Sequence, residues 1–414
     1  MPKPRALVLL AIGTAKRAAP ISRAITECAA GIIRLFSAVP MLRIFAALLA
    51  AGLLSAARAD PPQPPPVAAR AWLLLDASSG QVIASRNSDE RVEPASLAKL
   101  MTAYLAFSAL GNKTLSLSQT VPVSVRAWRA GGSRMFIEPK KPVTVEELLH
   151  GLIVQSGNDA CIALAEAIGG SEEAFVQMMN GMAKRLDMKN THFTNSSGLP
   201  DPRQYSTAGD LALLAAALIR DFPDRYRIYS EREYSYNNIT QQNRNRLLWL
   251  DPNVDGVKTG QTEGAGYCLI ASAKRGARRL LSVVLGTASA ALRVQESQKL
   301  LNYGFQHYDG VRLYQKDEAI STLHVWKGSN SKLKAGVASD LFVTIPKGSA
   351  DRLKAELVSR QPLIAPLSSG QRVATLHISL DGKPFGEYPV VALENVAVAG
   401  FFVRAWDSMR LWIR

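Results

Sequence analysis

Glu93-Pro-Ala-Ser-Leu-Ala-Lys-Leu-Met-Thr102 decides the fold, because it places Ser96 and Lys99 three residues apart at the start of an apolar helical pattern that continues to about Leu110. A serine hydroxyl is a poor nucleophile at neutral pH and needs a base. A buried, desolvated lysine can lose its proton and then accept the one from the serine. The spacing therefore predicts a nucleophile and its base on one helical face, with an ordinary N-cap serine and a solvated lysine as the alternative.

Two further motifs suit the same chemistry, the attack of a serine on an acyl group. Ser156-Gly-Asn158 falls between two predicted helices, where a hydroxyl can relay a proton to a leaving amine and an amide can orient the lysine or the substrate. Lys258-Thr259-Gly260 ends a strand-like run, where an ammonium and a hydroxyl can bind a carboxylate and a glycine admits the substrate backbone. For Ser156-Gly-Asn158 the alternative is a polar N-cap loop of the next helix, and both interpretations can hold together. For Lys258-Thr259-Gly260 the alternative is an edge-strand lysine before a turn.

Each motif is weak when taken alone, and the order and context of the three carry the information. K-T-G occurs once, but the other S-x-x-K and S-x-N matches are Ser329 with Lys332, Ser331 with Lys334, Ser85 with Asn87, and Ser235 with Asn237. The chain contains no G-x-S-x-G or H-E-x-x-H motif, and its five histidines show no metal-ligand spacing. The sequence therefore favours serine acyl transfer by these motifs, with a Ser-His-Asp triad as an open alternative, although no histidine lies in a suggestive context.

Secondary-structure signals run from strands to helices and back to strands. Residues 71–76 and 81–84 flank a Ser-Ser-Gly turn and predict a hairpin, and residues 145–220 are largely helical. Residues 247–287 predict adjacent antiparallel strands, and residues 290–305 predict another helix. This order predicts an α+β architecture, in which segments remote in sequence close an antiparallel sheet beside a helical cluster.

The last hundred residues have a different texture. Short alternating runs between residues 309 and 395, with a hairpin signal at Asp381-Gly382, predict a small all-β domain. Residues 398–414 predict an amphipathic helix, with Arg404, Asp407, Ser408, Arg410 and Arg414 opposite an apolar face of Val398, Phe401, Phe402, Ala405, Trp406, Met409, Trp412 and Ile413. Such a helix is typical of an anionic membrane surface, and packing on its own domain is the alternative.

The first 59 residues are predicted to be a leader. Residues 41–59 hold a basic start, an apolar run of about 13 residues and an A-x-A cleavage site, which predicts a signal peptide starting at Met41, with an uncleaved anchor as the alternative. Residues 1–40 are then a start-site error or a long n-region. Cleavage after Ala59 removes eight Lys/Arg and one Asp/Glu, and lowers the formal charge from +15 to +8 (15 − 8 + 1). Residues 60–67 are a proline-rich spacer. The positive charge of the chain after cleavage suits an anionic cell envelope or simple solubility, and no nucleic-acid partner is predicted.

Three cysteines occur, Cys28 in the leader and Cys161 and Cys268 in apolar stretches. Two cysteines do not make a disulfide scaffold. We therefore expect Cys161 and Cys268 to be buried thiols, with a bridge between them as the alternative.

Four stretches resemble the low-molecular-mass penicillin-binding proteins, and specifically the D-alanyl-D-alanine carboxypeptidases of the peptidase S11 family. They lie at residues 93–102, 156–160, 190–198 and 255–262. The resemblance covers roughly residues 68–305. It implies a β-lactamase/transpeptidase-like catalytic domain at residues 68–307, a small β domain at 308–395 and a membrane-surface helix at 396–414.

The resemblance implies the catalytic roles. Ser96 would form the acyl-enzyme, and Lys99 would be the base for acylation and deacylation. Ser156 and Asn158 would flank the site.

The resemblance also implies how the substrate is held. Lys258 and Thr259 would bind the terminal carboxylate of a stem peptide, and Arg244 would support the Lys258 region. The backbone N–H groups of Ser96 and Gln261 would form the oxyanion hole. Related carboxypeptidases often have histidine where this chain has Gln261. The backbone N–H of residue 261 keeps its implied role in the oxyanion hole. The role of the histidine side chain does not carry over, and with it the rate or the substrate preference of the relatives.

The implied reaction removes the terminal D-alanine from peptidoglycan pentapeptide stems, in the periplasm at the outer face of the inner membrane. β-Lactams would acylate Ser96 as substrate mimics, and no metal or cofactor is implied. A β-lactamase shares the motifs, but the chain lacks the E-x-x-L-N segment of the class A enzymes. A D,D-endopeptidase would use the same site, and a wall-binding protein with a vestigial site is the non-enzymatic alternative, which the intact motifs disfavour.

Overall fold

The computed structural model describes residues 7–10 and 62–413, and the chain divides into two compact units. The larger unit spans residues 63–310, and the smaller unit combines residues 311–413 with the described residues 7–10 and 62. Strand β1 (Leu7–Leu10) belongs to the smaller unit. The predicted signal peptide and cleavage site lie outside the described residues.

The larger unit holds one main sheet and most of the helices. Its strands are β2 (Ala71–Asp76), β3 (Gln81–Arg86), β4 (Thr120–Val121), β5 (Val143–Thr144), β6 (Glu233–Tyr236), β7 (Ile239–Gln242), β8 (Val254–Thr262), β9 (Gly266–Arg275) and β10 (Arg278–Thr287). Its helices are α1 (Lys99–Gly111), α2 (Val125–Trp128), α3 (Val145–Ile153), α4 (Asn158–Gly169), α5 (Glu172–Arg185), α6 (Ala208–Asp221), α7 (Pro223–Tyr226), α8 (Leu247–Leu250) and α9 (Ala290–His307).

The main sheet is antiparallel, with the strand order β3-β2-β10-β9-β8. The predicted β2–β3 hairpin and the predicted β8, β9 and β10 neighbours are confirmed. Strand β2 pairs with β10, opposing Leu73 to Val283 across about two hundred residues of sequence. The predicted closure of the sheet by remote segments is therefore confirmed, and the α+β fold class is correct.

Both faces of this sheet are covered by other parts of the unit. Successive side chains of a strand point to opposite faces, so one strand contributes to two apolar clusters. Leu73 and Leu75 join a cluster that contains the buried apolar residues of α1, whereas Leu74 joins a second cluster with Leu300 and Leu301 of α9. Helix α1 is apolar on every side and buried along its length, as expected for a helix inside a core. Its first residue, Lys99, therefore starts inside the protein.

The predicted helices between residues 145 and 220 are present, and their side chains explain the boundaries. Thr144 and Glu147 form a reciprocal capping box at the start of α3, and the Thr207 hydroxyl caps α6 by accepting from the Asp210 N–H. The β6–β7 hairpin was not predicted. Its turn at Asn237 and Asn238 has φ values of +51° and +61°, the conformation that asparagine tolerates best after glycine.

The smaller unit is mostly β-structure. Its strands are β11 (Tyr308–Tyr314), β12 (Ala319–Trp326), β13 (Lys332–Gly336), β14 (Leu341–Pro346), β15 (Leu353–Ser359), β16 (Leu363–Ile364), β17 (Arg372–Leu380) and β18 (Lys383–Ala392). Seven strands form one sheet in the order β1-β15-β17-β18-β13-β12-β16, and β11 pairs with β14. The predicted hairpin at Asp381-Gly382 joins β17 to β18, with both turn residues at positive φ.

Helix α10 (Phe401–Ile413) ends the described chain. It begins three residues later than predicted, because the backbone of residues 397–399 pairs with residues 327–329 instead, so Val398 does not belong to the helix. The Asp407 carboxylate accepts from the Lys327 N–H at 2.6 Å, and Arg410 stands over the Trp326 ring. Leu411, which belongs to neither face of the predicted pattern, is half-buried, whereas Arg414 lies outside the described residues.

The remaining apolar residues of α10 are exposed. Phe402 and Trp412 have 86% and 88% of their surface accessible, and Trp406, Met409 and Ile413 are exposed as well. We call these five residues the apolar face of α10. No helix among the described residues has the length and apolar character needed to cross a bilayer.

Candidate active site

Ser96 and Lys99 lie at the junction of two helical segments. Ser96 is half-buried in a 3₁₀ turn at Ala95–Ala98, and Lys99 is the first residue of α1. The distance from Lys99 Nζ to Ser96 Oγ is 3.1 Å. Ser96 does not cap a helix, because Pro94 holds that position and no side chain caps the turn, so the N-cap alternative is wrong.

A glycine on a separate loop braces this turn. Ala95 has a φ of +47° and Gly198 a φ of +83°. A Cβ atom on Gly198 would lie 1.8 Å from the Ala95 carbonyl oxygen, which no side chain could tolerate. The turn that presents Ser96 is therefore fixed against residue 198.

The Lys99 ammonium group is fully buried and surrounded by oxygen atoms. Besides Ser96 Oγ, its Nζ lies 2.6 Å from Asn158 Oδ1 and 2.5 Å from the Ser197 carbonyl oxygen. Burial is the main cause that lowers the pKa of Lys99 below 10.5, and the nearby Arg244 acts in the same direction. The alternative of a solvated lysine is therefore wrong.

Ser156 and Asn158 approach from the turn between α3 and α4. Ser156 has a φ of +61°, and Asn158 opens α4 with a buried side chain. The Asn158 amide donates through Nδ2 to the Gly131 carbonyl at 2.7 Å, so its Oδ1 faces Lys99. The N-cap of α4 is Gly157 without a side-chain cap, so neither motif side chain has the capping role that was the alternative.

Asp159 was not predicted, and it fixes the opposite wall of the site. Its carboxylate accepts from the backbone N–H groups of Met135, Phe136 and Ile137 at 2.8–3.3 Å. The Asn158 N–H also donates to the Ser133 carbonyl. An acidic residue directly after S-x-N, in the first turn of a helix, was the signal in the sequence, although first-turn acids are common for other reasons.

Lys258 lies on the edge strand β8 but is buried, with 3% of its surface accessible. Its Nζ donates to Ser156 Oγ at 2.9 Å and to the Thr259 carbonyl at 3.1 Å. Burial first, and then the charges of Lys99 and Arg244, hold the pKa of Lys258 well below 10.5. Lys258 is therefore an edge-strand lysine, as the alternative held, but its ammonium group is buried among the residues of the cleft.

Gly260 has a packing role besides its predicted role toward the substrate, which stays a prediction. A Cβ atom there would lie 3.2–3.3 Å from Leu97 Cγ, the Pro94 carbonyl oxygen and Ala95 Cβ. The glycine therefore lets β8 approach the nucleophile turn. Glu93 strengthens the same junction, because its carboxylate accepts from the Thr262 hydroxyl at 2.7 Å.

Two arginines line the same cleft. Arg244 was predicted, whereas Arg293, on α9, was not. Arg293 is 7% exposed and donates to the Gly260 carbonyl at 3.1 Å, and its buried Nε has no hydrogen-bond partner among the described residues. The signal in the sequence was a charged residue at a core-facing position of a helix, next to Val294 and one turn before Ser297.

The cleft has a volume of about 230 Å³ and brings all the motifs together. Gln261 is exposed at its edge. The lining residues are Ser96, Gly132, Ser133, Ser156, Asn158, Ser197, Gly198, Leu199, Arg244, Thr259, Gly260, Gln261, Thr262, Tyr267 and Arg293. Such a cleft offers a hydroxyl beside a deprotonatable amine at one end and cationic groups for a carboxylate at the other.

Both described cysteines are free and buried, so the expectation of thiols is confirmed and the bridge alternative is wrong. Burial raises the pKa of Cys161 to about 12 and that of Cys268 to about 11. A raised pKa favours the protonated thiol at neutral pH for both residues.

Fold and cleft together define a serine acyl-transfer enzyme of the penicillin-recognising class. A family model described as D-alanyl-D-alanine carboxypeptidase, peptidase S11, matches residues 58–289, and a model of the C-terminal domain of penicillin-binding protein 5 matches residues 308–398. The chain belongs to the D-alanyl-D-alanine carboxypeptidase family. It is a serine-type D-Ala-D-Ala carboxypeptidase, and the predicted family, enzyme class and activity are confirmed.

Named relatives support this assignment along both units. The D-alanyl-D-alanine carboxypeptidase DacC of Escherichia coli is 46% identical over 355 residues, which cover 84% of this chain and 89% of the relative. Penicillin-binding protein 5 of Haemophilus influenzae is 40% identical with a TM-score of 0.78, covering 81% of this chain and 99% of that structure. The ampicillin-bound penicillin-binding protein D2 of Listeria monocytogenes is 32% identical with a TM-score of 0.55, covering 59% and 100%. Peptidoglycan peptides as substrates and β-lactams as ligands follow for this chain.

Proposed function

We propose that Ser96 is the nucleophile and Lys99 its general base in the hydrolysis of peptidoglycan stem peptides. The observation that carries this is the set of three oxygens around Lys99 Nζ. A neutral amine has two N–H donors and one lone pair. The Ser197 carbonyl and Asn158 Oδ1 can only accept, so they take the two N–H groups, and the lone pair faces the Ser96 hydroxyl.

The reaction then follows in two steps. Ser96 Oγ attacks the carbonyl carbon of the penultimate D-alanine while its proton passes to Lys99 Nζ, and an oxyanion forms. The C–N bond breaks as the proton held by Lys99 passes through the Ser156 hydroxyl, whose oxygen already accepts from Lys258, to the leaving D-alanine amine, which leaves Lys99 neutral again. Lys99 next removes a proton from water, which attacks the ester and releases the shortened peptide.

Substrate recognition is assigned to the other end of the cleft. Lys258 and the Thr259 hydroxyl bind the terminal carboxylate, and Arg244 and Arg293 add positive charge beside them. The backbone N–H groups of Ser96 and Gln261 serve as the oxyanion hole.

The second part of the proposal concerns location. Cleavage after Ala59 exports the chain to the periplasm, removes β1 and leaves β15 as the edge of the smaller sheet. The exposed apolar face of α10 then binds the outer surface of the inner membrane. The polar side of α10 supports this orientation, because Asp407 and Arg410 contact strand β12 and the residue after it.

The deciding experiment measures D-alanine release from diacetyl-Lys-D-Ala-D-Ala by the purified chain, with Ser96→Ala as the control. Serine-dependent release supports the proposed roles. Parallel assays with a cross-linked muropeptide dimer and a chromogenic cephalosporin measure endopeptidase and β-lactamase activity. Release that persists in Ser96→Ala would refute the assignment of the nucleophile.

A further inference from the structure

The Lys99 amine depends on a backbone segment that α1 alone does not hold. The Ser197 carbonyl accepts from Lys99 Nζ at 2.5 Å, and the Ser196 carbonyl accepts from the Thr102 hydroxyl at 2.6 Å. Both serines are buried, with at most 1% of their surface accessible. The position of residues 196–197 therefore decides where the lysine finds its acceptor.

Glu172 holds this segment from the other side. One carboxylate oxygen accepts from the Ser196 N–H at 2.9 Å and from the Ser196 hydroxyl at 2.6 Å. The other oxygen pairs with the Arg126 guanidinium at 2.7 Å. The Glu172 carboxylate thus accepts donors on both oxygens while its residue is 4% exposed.

An ordinary helix-start role does not explain why this glutamate is buried. Helix α5 is already capped by the Ser171 hydroxyl, which accepts from the Ala174 N–H. The next residue, Glu173, also lies in the first turn and also pairs with Arg126, yet its side chain is 68% exposed. Burying a carboxylate is costly unless hydrogen bonds compensate, and the compensating bonds of Glu172 come from Ser196 and Arg126.

We propose that Glu172 is a positioning residue for the general base: through Ser196 it fixes the Ser197 carbonyl, which takes one N–H of Lys99 and thereby directs the lone pair at Ser96. This inference rests on the proposed role of Lys99. Without the Glu172 acceptor, the buried Ser196 N–H and hydroxyl must find other partners, and the Ser197 carbonyl moves with them. The lysine then spends less time in the orientation that removes the Ser96 proton.

The test compares Glu172→Ala, Glu172→Gln and the matched control Glu173→Ala in the chain from residue 60 onward. We measure the rate constant of Ser96 acylation by a fluorescent penicillin between pH 5 and 10, and the melting temperature of each variant. Glu172→Ala is expected to acylate about 10- to 100-fold more slowly, because small displacements of a catalytic group have effects of this size. Glu172→Gln keeps an acceptor for Ser196 and is expected to stay within about threefold, and Glu173→Ala is expected to match the parent chain.

The pH profile separates positioning from a general loss of folded protein. A carbonyl acceptor stabilises an ammonium, so losing it lowers the pKa of Lys99 and moves the acid limb of acylation to lower pH. The other groups that act on the charge of Lys99 are Lys258, Arg244, Asp159 and Cys161, and none of them is changed. A lower amplitude with an unmoved limb, or an equal loss in Glu172→Gln, would overturn the proposal.

A second variant keeps the proposal testable if Glu172→Ala does not fold. Ser196→Ala removes one of the two hydrogen bonds and changes no charge, and it is expected to slow acylation about 3- to 10-fold, with the acid limb again at lower pH. Parent-chain kinetics in Ser196→Ala would overturn the proposal. Failure of the parent chain to label at Ser96 would instead refute the proposed function, so the two failures are distinguishable.

Discussion

The cleft buries polar and charged side chains, whereas helix α10 exposes large apolar side chains. In the cleft, Lys99, Asn158 and Lys258 are polar or charged and at most 5% exposed, whereas Phe402 and Trp412 of α10 are more than 85% exposed. Buried polar groups and exposed apolar patches are the two informative departures from the rule that apolar residues lie inside. Lys99, Asn158 and Lys258 have hydrogen-bond partners within the chain, so this part of the cleft is organised before any substrate arrives. The apolar face of α10 is exposed in the described part of the chain, and we propose a membrane surface as its partner.

The largest effect tests whether the cleft acts through one serine. Ser96→Ala is expected to reduce D-alanine release about 10⁴-fold or more and to abolish covalent penicillin labelling, because the acyl-enzyme bond forms at Ser96 Oγ. The matched control is Ser331→Ala, which alters another S-x-x-K match. There Ser331 and Lys334 are both exposed, so activity is expected to stay unchanged. Equal losses of activity in the two variants would contradict the assignment of the nucleophile to Ser96 on the basis of its buried S-x-x-K motif.

The second prediction concerns the two buried lysines. Acylation needs neutral Lys99, and burial lowers its pKa, so kcat/KM is expected to rise with pH through that lowered value. Carboxylate binding needs charged Lys258, whose pKa is lowered by burial and by Lys99, so kcat/KM is expected to fall as pH rises through it. The profile is therefore bell-shaped, with both limbs below pH 10.5 and each limb belonging to the coupled pair.

Lys258→Arg assigns the alkaline limb. A guanidinium stays charged throughout this range, so the limb is expected to move to higher pH, with a loss of about 10-fold or more in kcat/KM because the larger group fits a buried site poorly. Steady-state kinetics between pH 5 and 11 measures both quantities. An alkaline limb that stays in place would show that a group other than Lys258 produces it.

Sequence patterns were sufficient for the elements whose signals are local. The hairpin at Asp381-Gly382 and the strands around Lys258 follow from turn chemistry and apolar runs, and both are present. The apolar pattern after Lys99 predicted a helix, but only the folded core explains why the lysine is buried. The two S-x-x-K matches at residues 329–334 have the same spacing, yet Lys332 and Lys334 are exposed.

The missed parts of the site depend on contacts between distant residues. The acceptor for Lys99 comes from Ser197, 98 residues away, and the brace on Ala95 comes from Gly198. The positive φ of Ser156 is imposed by neighbours and leaves no trace in the composition of the motif. Arg293 and Glu172 had a signal in the sequence, a charged side chain at a helical position that is buried. Periodicity alone cannot tell such a buried charged residue from a helix whose apolar face has been assigned to the wrong side.

The third prediction tests the helix side of the comparison. Trp412→Glu is expected to weaken binding to vesicles containing phosphatidylglycerol by about 30-fold, the equivalent of losing roughly 2 kcal/mol of apolar burial, and to leave D-alanine release unchanged. Ser408→Glu is the matched control, because it adds the same charge on the other side of α10 and costs only the electrostatic part. A truncation for this assay should end at Gly400, since residues 397–399 pair with residues 327–329. Equal binding by Trp412→Glu and the parent chain would return α10 to the alternative of a purely structural helix.

The smallest effect is expected at Gln261, where the exposed edge of the cleft meets solvent. Gln261→His restores the residue common in related carboxypeptidases without disturbing β8, because position 261 pairs with Tyr267 through its backbone and its side chain is exposed. If the oxyanion hole uses only the backbone N–H, the acylation rate constant should change by less than about threefold. The cationic Arg244 and Arg293 disfavour a further positive charge, so the new imidazole should titrate below its usual value of about 6.5 and add an inflection there to the deacylation rate. Gln261→Ala serves as the control without a titrating group, and a change of tenfold or more in both variants would mean that the glutamine side chain itself contacts the substrate.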